Sequence, residues 1–230
     1  MNFNNNAKKA SYAASIGINR IPNNLKDIYR EKLEKLDMIS VREENARKEL
    51  EKIIKNKEID VVLDPTLLLD REDWKIIAGQ RKIKDRYLLV YSIKEDENMI
   101  KFANDLARRE NLRIAHYRKT NKKFKENNPI NLSSVGPKDF VNSIMYADFV
   151  ITNSFHGTAF SVALNKDFYC FLPKQTSSRI EDLLRIVKLE DRIIKEKNDT
   201  VDMKIDYNIA NKYLKEAREK SEEYIERVIK

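Results

Sequence analysis

The stretch DFVITNSFHGTAFSVALNKDFYCFL, Asp148 to Leu172, decides the fold. Asp148–Thr152 is a short apolar run of the kind that forms a strand buried on both faces. Phe155 to Leu164 has the length of a helix, and Phe168 to Leu172 is apolar again. Strand, helix, strand is the grammar of a parallel sheet, because parallel neighbours need a crossover.

The same grammar extends in both directions. Tyr87–Ile93 reads as a strand and Asp96 to Glu110 as a helix with Ile100, Ala103, Leu106 and Ala107 inward. Leu112–Ala115 is a short strand, and Pro137 to Tyr146 a helix with proline in its first turn, where no N–H is needed. Nearer the start, Leu25, Ile28, Tyr29, Leu33 and Leu36 recur at helical spacing, then Ile39–Val41 is a strand. A helix from about Glu43 to Ile54 puts Ala46, Leu50 and Ile53 on one face, and Asp60 to Pro65 is a strand stopped by proline. The charged segment Asp70 to Arg86 reads as a connector, with Trp74 packing inward. A helix over Arg179–Val187 and a long one over Ile205–Ile229 close the chain. In the long one Ile205, Ile209, Tyr213, Ala217, Tyr224 and Val228 are expected on one side. The expectation is a doubly wound α/β protein. It divides into a partial Rossmann-like lobe over 1–78, a second over 79–203, and the long helix over 204–230.

Composition narrows the function classes. The 230 residues are 41% hydrophobic and 36% charged, with a net charge of +8, so the chain can bury a core and attract anions. Without a zinc-finger pattern, an RNA-binding signature or a long arginine stripe, nucleic acid is not the expected partner. The single Cys170 lies in an apolar run and reads as a buried, inert thiol. The opening MNFNNN has no apolar signal core, and no stretch nears the ~18–20 apolar residues of a membrane span. A cytoplasmic protein is expected, with peripheral contact at the inner membrane face left open. Only four glycines occur, so neither a dinucleotide fingerprint nor a P-loop can form. No His, Cys, Asp and Glu cluster has metal-ligand spacing, and no cofactor is expected.

Four ordered pieces carry a resemblance. They are Ile39-Ser40-Val41-Arg42-Glu43; Asp64-Pro65-Thr66-Leu67-Leu68-Leu69; Gly136-Pro137 with Asp139-Phe140-Val141; and Ala147-Asp148 leading into Asn153-Ser154-Phe155-His156-Gly157-Thr158. Arg179-Ile180 before Asp182-Leu183-Leu184 is similar to a fifth. In order and spacing the chain resembles the polysaccharide pyruvyl transferase family from about Ala10 to Arg192. The resemblance implies a GT-B-like fold of two Rossmann-type lobes with the active site between them. It also implies transfer of a pyruvyl group from phosphoenolpyruvate to two sugar hydroxyls, forming a ketal in surface polysaccharide synthesis. The acceptor would be a glycan or a lipid-linked sugar. Family members begin with a further segment of the first lobe, so the resemblance implies an incomplete N-terminal lobe here and a more open cleft. Two other functions compete: a GT-B glycosyltransferase using a nucleotide-sugar, and a non-catalytic remnant or partner subunit.

Such chemistry needs fixed positive charge or backbone N–H groups for the donor's two anions, an acid for its methylene carbon, and a base for the hydroxyls. His156, directly after a buried strand, is the candidate acid and base, against a packing or capping role. Asn153, Ser154 and Thr158 flank the next helix start as donor contacts or plain caps. Gly157 either lets the backbone approach the ligand or makes a tight turn. Arg42 is a candidate donor clamp or a salt bridge to Glu43 or Glu44. Lys174 and Arg179 form a second candidate clamp, against an ordinary surface role. Asp64 and Gly136 are candidates for the acceptor side or the cleft, Asp64 alternatively for a turn. His116 reads as structural or solvated. The cluster Arg118, Lys119, Lys122, Lys123, Lys125 is either an anion-attracting loop or a solvated one.

Overall fold

A computed structural model describes residues 7–118, 122–124, 128–173, 177–195 and 204–230. In chain order the elements are β1 (Ala10–Ala14), α1 (Lys26–Leu33), β2 (Met38–Val41), α2 (Glu44–Glu51), β3 (Ile59–Val61) and α3 (Arg71–Ala78). Then come β4 (Tyr87–Tyr91), α4 (Glu97–Arg109), β5 (Arg113–His116), β6 (Ile130–Asn131), α5 (Pro137–Met145), β7 (Phe149–Thr152) and α6 (Phe155–Ala163). The last are β8 (Phe168–Phe171), α7 (Ser178–Val187), β9 (Ile193–Ile194) and α8 (Tyr207–Ile229).

The chain forms two compact units that interleave in sequence. One comprises Met1–Leu68, Lys174–Lys188 and Asn211–Lys230; the other comprises Leu69–Pro173 and Leu189–Ala210. These bounds differ from the contiguous division expected at 78 and 203: α3 goes with the second unit, α7 and most of α8 with the first. Contiguity is what sequence offers, and long-range packing takes no account of it.

The first unit holds the parallel sheet β1-β2-β3. One face is covered by the core of Ile21, Leu36, Ile39, Val41, Ala46, Leu50, Ile53, Ile54 and Ile59. On the other, Ala13 and Val62 pack with Tyr224 of α8. The start of α2 lacks a side-chain cap of its own and takes one from α7, where the Asp182 carboxylate accepts from Glu44 N at 3.1 Å.

The second unit holds a parallel sheet in the order β6-β5-β4-β7-β8-β9. Counted within the sheet this is 3-2-1-4-5-6, the doubly wound Rossmann order. Strands β7 and β8 are buried throughout, each residue such as Phe149 or Phe168 contributing ~1.5–3 kcal/mol by leaving water. From β4 the chain goes one way to β5 and β6, then returns to the other side of β4 to lay down β7. Crossovers are right-handed, so the helices after β4 and β7 lie on opposite faces of the sheet. In open α/β sheets ligands bind outside the strand ends at such a reversal of order, here the carboxyl ends of β4 and β7.

The connector expected over Asp70–Arg86 contains a helix, α3. Its capping box, with Asp70 accepting from Glu72 N and Asp73 N and Asp73 accepting from Asp70 N, starts eight residues whose charge hid a single apolar edge. Trp74 does pack, edge-on to Phe160 with ring centroids 4.9 Å apart. On α8 the buried stripe is Ala210, Leu214, Ser221 and Tyr224, whereas Ile209 and Tyr213, expected inward, are exposed. The inward line is displaced by one residue only in the first turns, to Ala210 and Leu214, while Tyr224 and Val228 lie inward as expected.

Candidate functional site

The turn from β7 into α6 lies at this switch point. Thr152 Oγ1 donates to Tyr91 O at 2.7 Å and accepts from Ser154 N at 3.0 Å, tying the ends of β7 and β4 together. Asn153 is buried, and its amide is committed to the loop after β4: Oδ1 accepts from Ile93 N at 2.9 Å and Nδ2 donates to Lys94 O at 2.8 Å. Ser154 is the N-cap of α6, accepting from Gly157 N at 3.4 Å. Thr158, fully buried, donates from Oγ1 to Ser154 O at 3.1 Å, so its hydroxyl is engaged within the helix.

His156 is different. It is exposed while Asn153, Ser154, Phe155, Gly157 and Thr158 around it are buried, and its ring stands 5.4 Å from that of Phe155 in an edge contact. Helical geometry turns it outward from a first turn of α6 that itself holds no acidic residue to offset the positive end of the dipole. An imidazole beside that end can give and accept protons, and the helix start favours an anion.

Gly157 does not stand in a left-handed turn. It lies within α6, and a Cβ there would come 2.9 Å from Thr152 Cβ and 3.0 Å from Tyr91 Cδ1. The missing side chain is what lets α6 start this close to the paired ends of β4 and β7. Gly136 is the N-cap of α5 with extended backbone and open space where a Cβ would sit, so nothing in its surroundings demands glycine.

The first unit gathers a second group at the carboxyl ends of its strands. Arg42 pairs through Nη1 with Asp64, and its Nε lies 3.6 Å from Glu43 Oε1, both carboxylates being buried. Asp64 also accepts from Thr66 N at 3.0 Å and Thr66 Oγ1 at 2.7 Å. Burial alone would raise the Asp64 carboxyl; the two Thr66 bonds and the Arg42 charge outweigh it and hold the group below the usual carboxylate range. Ser15 Oγ donates to Glu43, joining the loop after β1 to the group. Arg42 is therefore a compensated cation that orders three strand ends. Arg179, on the first turn of α7, lines a small recess with Gly17, Ile18, Glu43, Asn45 and Ser178. Lys174 lies outside the described residues.

The other histidine is structural, as expected: His116 is buried, its ring 4.7 Å from that of Phe124, and Nδ1 accepts from Arg118 N at 3.2 Å. In the basic cluster, Arg118 pairs with Glu95 and Lys123 with Glu95 and Glu97, which cancels much of its pull on anions; Lys119 and Lys125 lie outside the described residues. Among the described residues no group could hold a metal ion, and no helix is long and apolar enough to cross a membrane.

Sequence reasoning missed the aromatic triangle at the ends of β4 and β5. Tyr91, Tyr117 and Phe140 meet edge-on with centroids 4.9 to 5.6 Å apart. Burial pushes the Tyr117 phenol up to about 12, so it stays protonated and bonds Ser143 Oγ at 2.6 Å. Residues so far apart in sequence carry no local signal of meeting.

The profile of the polysaccharide pyruvyl transferases matches residues 2–175. The chain belongs to that family. No curated protein sequence matches it. Among solved structures, a histidine variant of the wall teichoic acid polymerase TagF matches with a TM-score of 0.50 at 13% identity, covering 99% of this chain and 65% of that one. The chain thus spans 65% of that polymerase's length. A putative UDP-N-acetylglucosamine 2-epimerase from Listeria monocytogenes gives 0.44 at 12% identity, covering 81% and 54%. At such identity the TagF likeness speaks for the fold alone: an α/β protein of the GT-B type with two parallel sheets. In this pyruvyl transferase family member, the matched span includes both the Arg42–Asp64 group and the His156 turn.

Proposed function

We propose that the chain transfers the pyruvyl group of phosphoenolpyruvate to two hydroxyls of a sugar in surface polysaccharide synthesis. The observation that carries this reading is the exposed His156 imidazole at an anion-favouring helix start beside the switch point. In the proposed sequence His156 protonates the donor's methylene carbon, leaving the neighbouring carbon electrophilic. A first sugar hydroxyl attacks that carbon and its proton returns to the imidazole. The bond from this carbon to the phosphate oxygen then breaks and phosphate leaves. The second hydroxyl closes the ketal, and its proton leaves with phosphate or solvent. One hydroxyl proton thus replaces the one given to the methyl group, and the other balances the released phosphate.

Asn153, Ser154, Gly157 and Thr158 act in this scheme by building the turn, and the backbone start of α6 serves the donor's anions. Arg179, with Lys174, is the proposed second clamp, while Arg42 and Asp64 order the strand ends of the first unit. No cofactor enters. The acceptor is a glycan or lipid-linked sugar, and work at the cytoplasmic membrane face by peripheral contact belongs to the same proposal.

The test is binding followed by turnover. Phosphoenolpyruvate should raise the melting temperature and nucleotide-sugars should not; the reverse pattern sinks the reading. With a panel of sugar acceptors, His156→Ala should lose phosphate release by about 100-fold or more while melting within ~2 °C of the parent, because an exposed residue carries little stability.

A further inference from the structure

Helix α4 carries two stripes. Met99, Ile100, Ala103, Leu106 and Ala107 are buried, whereas Asn98, Lys101, Phe102 and Asp105, at i, i+3, i+4 and i+7, line a cavity of about 490 Å³. The topology explains why space is left there. After β7 the chain moves away from β4 to lay down β8, so its crossover helix α6 covers the face opposite α4. Over β8 and β9 the α4 face has the flank of α4 for cover, and Phe171, Leu172 and Ile194 form the other wall of the cavity. Phe102 joins the two walls, edge-on to Phe171 with ring centroids 5.7 Å apart. Asp96, Leu172 and Lys195 in the lining lie past the carboxyl ends of β4, β8 and β9, the side on which open α/β sheets bind ligands.

The lining narrows the ligand by elimination. Asp96 and Asp105 oppose a free anion, Lys101 and Lys195 a free cation. Asn98 and Lys101 are exposed and make no hydrogen bond or ion pair among the described residues, and Asp105 has a loose contact to Arg108 at 3.5 Å. An acyl chain would strip water from these groups and return no hydrogen bond. A hydroxyl both donates and accepts, so a sugar answers a carboxylate, an ammonium and an amide alike, while the C–H face of its ring packs on Phe171 and Leu172. The volume is that of a small-molecule site.

We infer that this cavity binds a neutral sugar unit. That the sugar belongs to the acceptor glycan, as a unit beyond the one that takes the pyruvyl group, rests on the transfer reading above. The cavity opens no route to the donor through its own lining, which holds no residue of the Asn153–Thr158 turn, so the two sites can be tested apart.

Ligand-observed NMR titration of the full chain with the methyl glycosides of glucose, galactose, mannose and N-acetylglucosamine, with lactose and cellobiose, and with octanoate as an apolar competitor tests this. At least one of the sugars should bind, and octanoate should not displace it. Asp105→Ala and Asn98→Ala should weaken that sugar by about 10-fold, and Leu172→Trp, which fills the cavity, should abolish binding, each with the parental melting temperature. Asp105→Asn keeps an acceptor and should recover most of the affinity, which a role in folding alone would not produce. A parent that binds no sugar of the panel overturns the inference, as does parental sugar affinity in both Asp105→Ala and Leu172→Trp, or displacement by octanoate. In turnover, Asp105→Ala should raise the KM of an oligosaccharide acceptor by about 10-fold and leave the affinity for phosphoenolpyruvate at the parental value. Sugar binding through Asp105 in a chain that ignores phosphoenolpyruvate retains the site and removes the transfer reading; transfer with a parental acceptor KM in Asp105→Ala retains that reading and removes the site from the acceptor.

Discussion

At the scale of single residues, Gly157 and Asp64 show how position overrides type. The glycine in the Asn153–Thr158 motif invites a reading in terms of ligand approach, yet its surroundings are Thr152 and Tyr91. Gly157→Ala should therefore cost ~1–3 kcal/mol through overpacking against a strand end that cannot retreat. Urea denaturation would measure it, and a variant as stable as the parent would refute the packing argument. Asp64 makes a pH prediction. Its carboxyl is held below the usual range in the folded chain, so its stabilising contribution is complete above the unfolded value of about 3.9 and fades as pH falls through the folded one. Asp64→Asn keeps an acceptor for Thr66 while removing the charge that faces Arg42. It should lose ~1–3 kcal/mol at pH 7 and progressively less as the pH drops below 4. An equal loss at pH 7 and pH 3 would mean that the charge is not what matters.

At the scale of elements, the legible ones are those whose local pattern and tertiary role agree. β7, α6 and β8 are apolar runs of the right lengths, and α4 combines an Asp96 cap with a full inward stripe of Met99, Ile100, Ala103, Leu106 and Ala107. The unread ones break that agreement. β1 is Ala-Ser-Tyr-Ala-Ala, a single tyrosine among small residues that favour strands weakly, and pairs with β2. β6 and β9 are two residues each, below the length at which alternation can be seen. The site divides in the same way. His156 could be named from its place after a buried strand, since that place fixes both its exposure and its edge of the sheet. The commitment of Asn153 to the loop after β4, or of Arg42 to Asp64, depends on contacts 59 and 22 positions apart in sequence, which no local pattern encodes.

At the scale of the molecule, α8 is the element whose removal should say most about how stability is distributed. It begins in the second unit, where Tyr207 OH donates to Lys166 O at 2.5 Å, and from Asn211 onward it belongs to the first. There Arg218 Nε donates to Leu67 O at 2.6 Å, Leu63 N to Ser221 Oγ at 2.9 Å, and Tyr224 OH to Ser11 O at 2.8 Å. These bonds reach both edges of a three-stranded sheet whose apolar surface on this face is small, Ala13 and Val62 with the partly buried Tyr12 and Met38. A sheet of that size needs cover on both sides to persist. Ending the chain after Lys215 removes Ser221 and Tyr224 together, strips the Leu63 amide of its acceptor and bares the face to water. Hydrogen exchange should then lose most of its protection at the amides of β1, β2 and β3, while those of β4, β7 and β8, sealed within their own six-stranded sheet, keep theirs. Uniform loss in both sheets would mean that the chain unfolds as one cooperative block, and undiminished protection in β1–β3 would mean that the helices on the opposite face suffice.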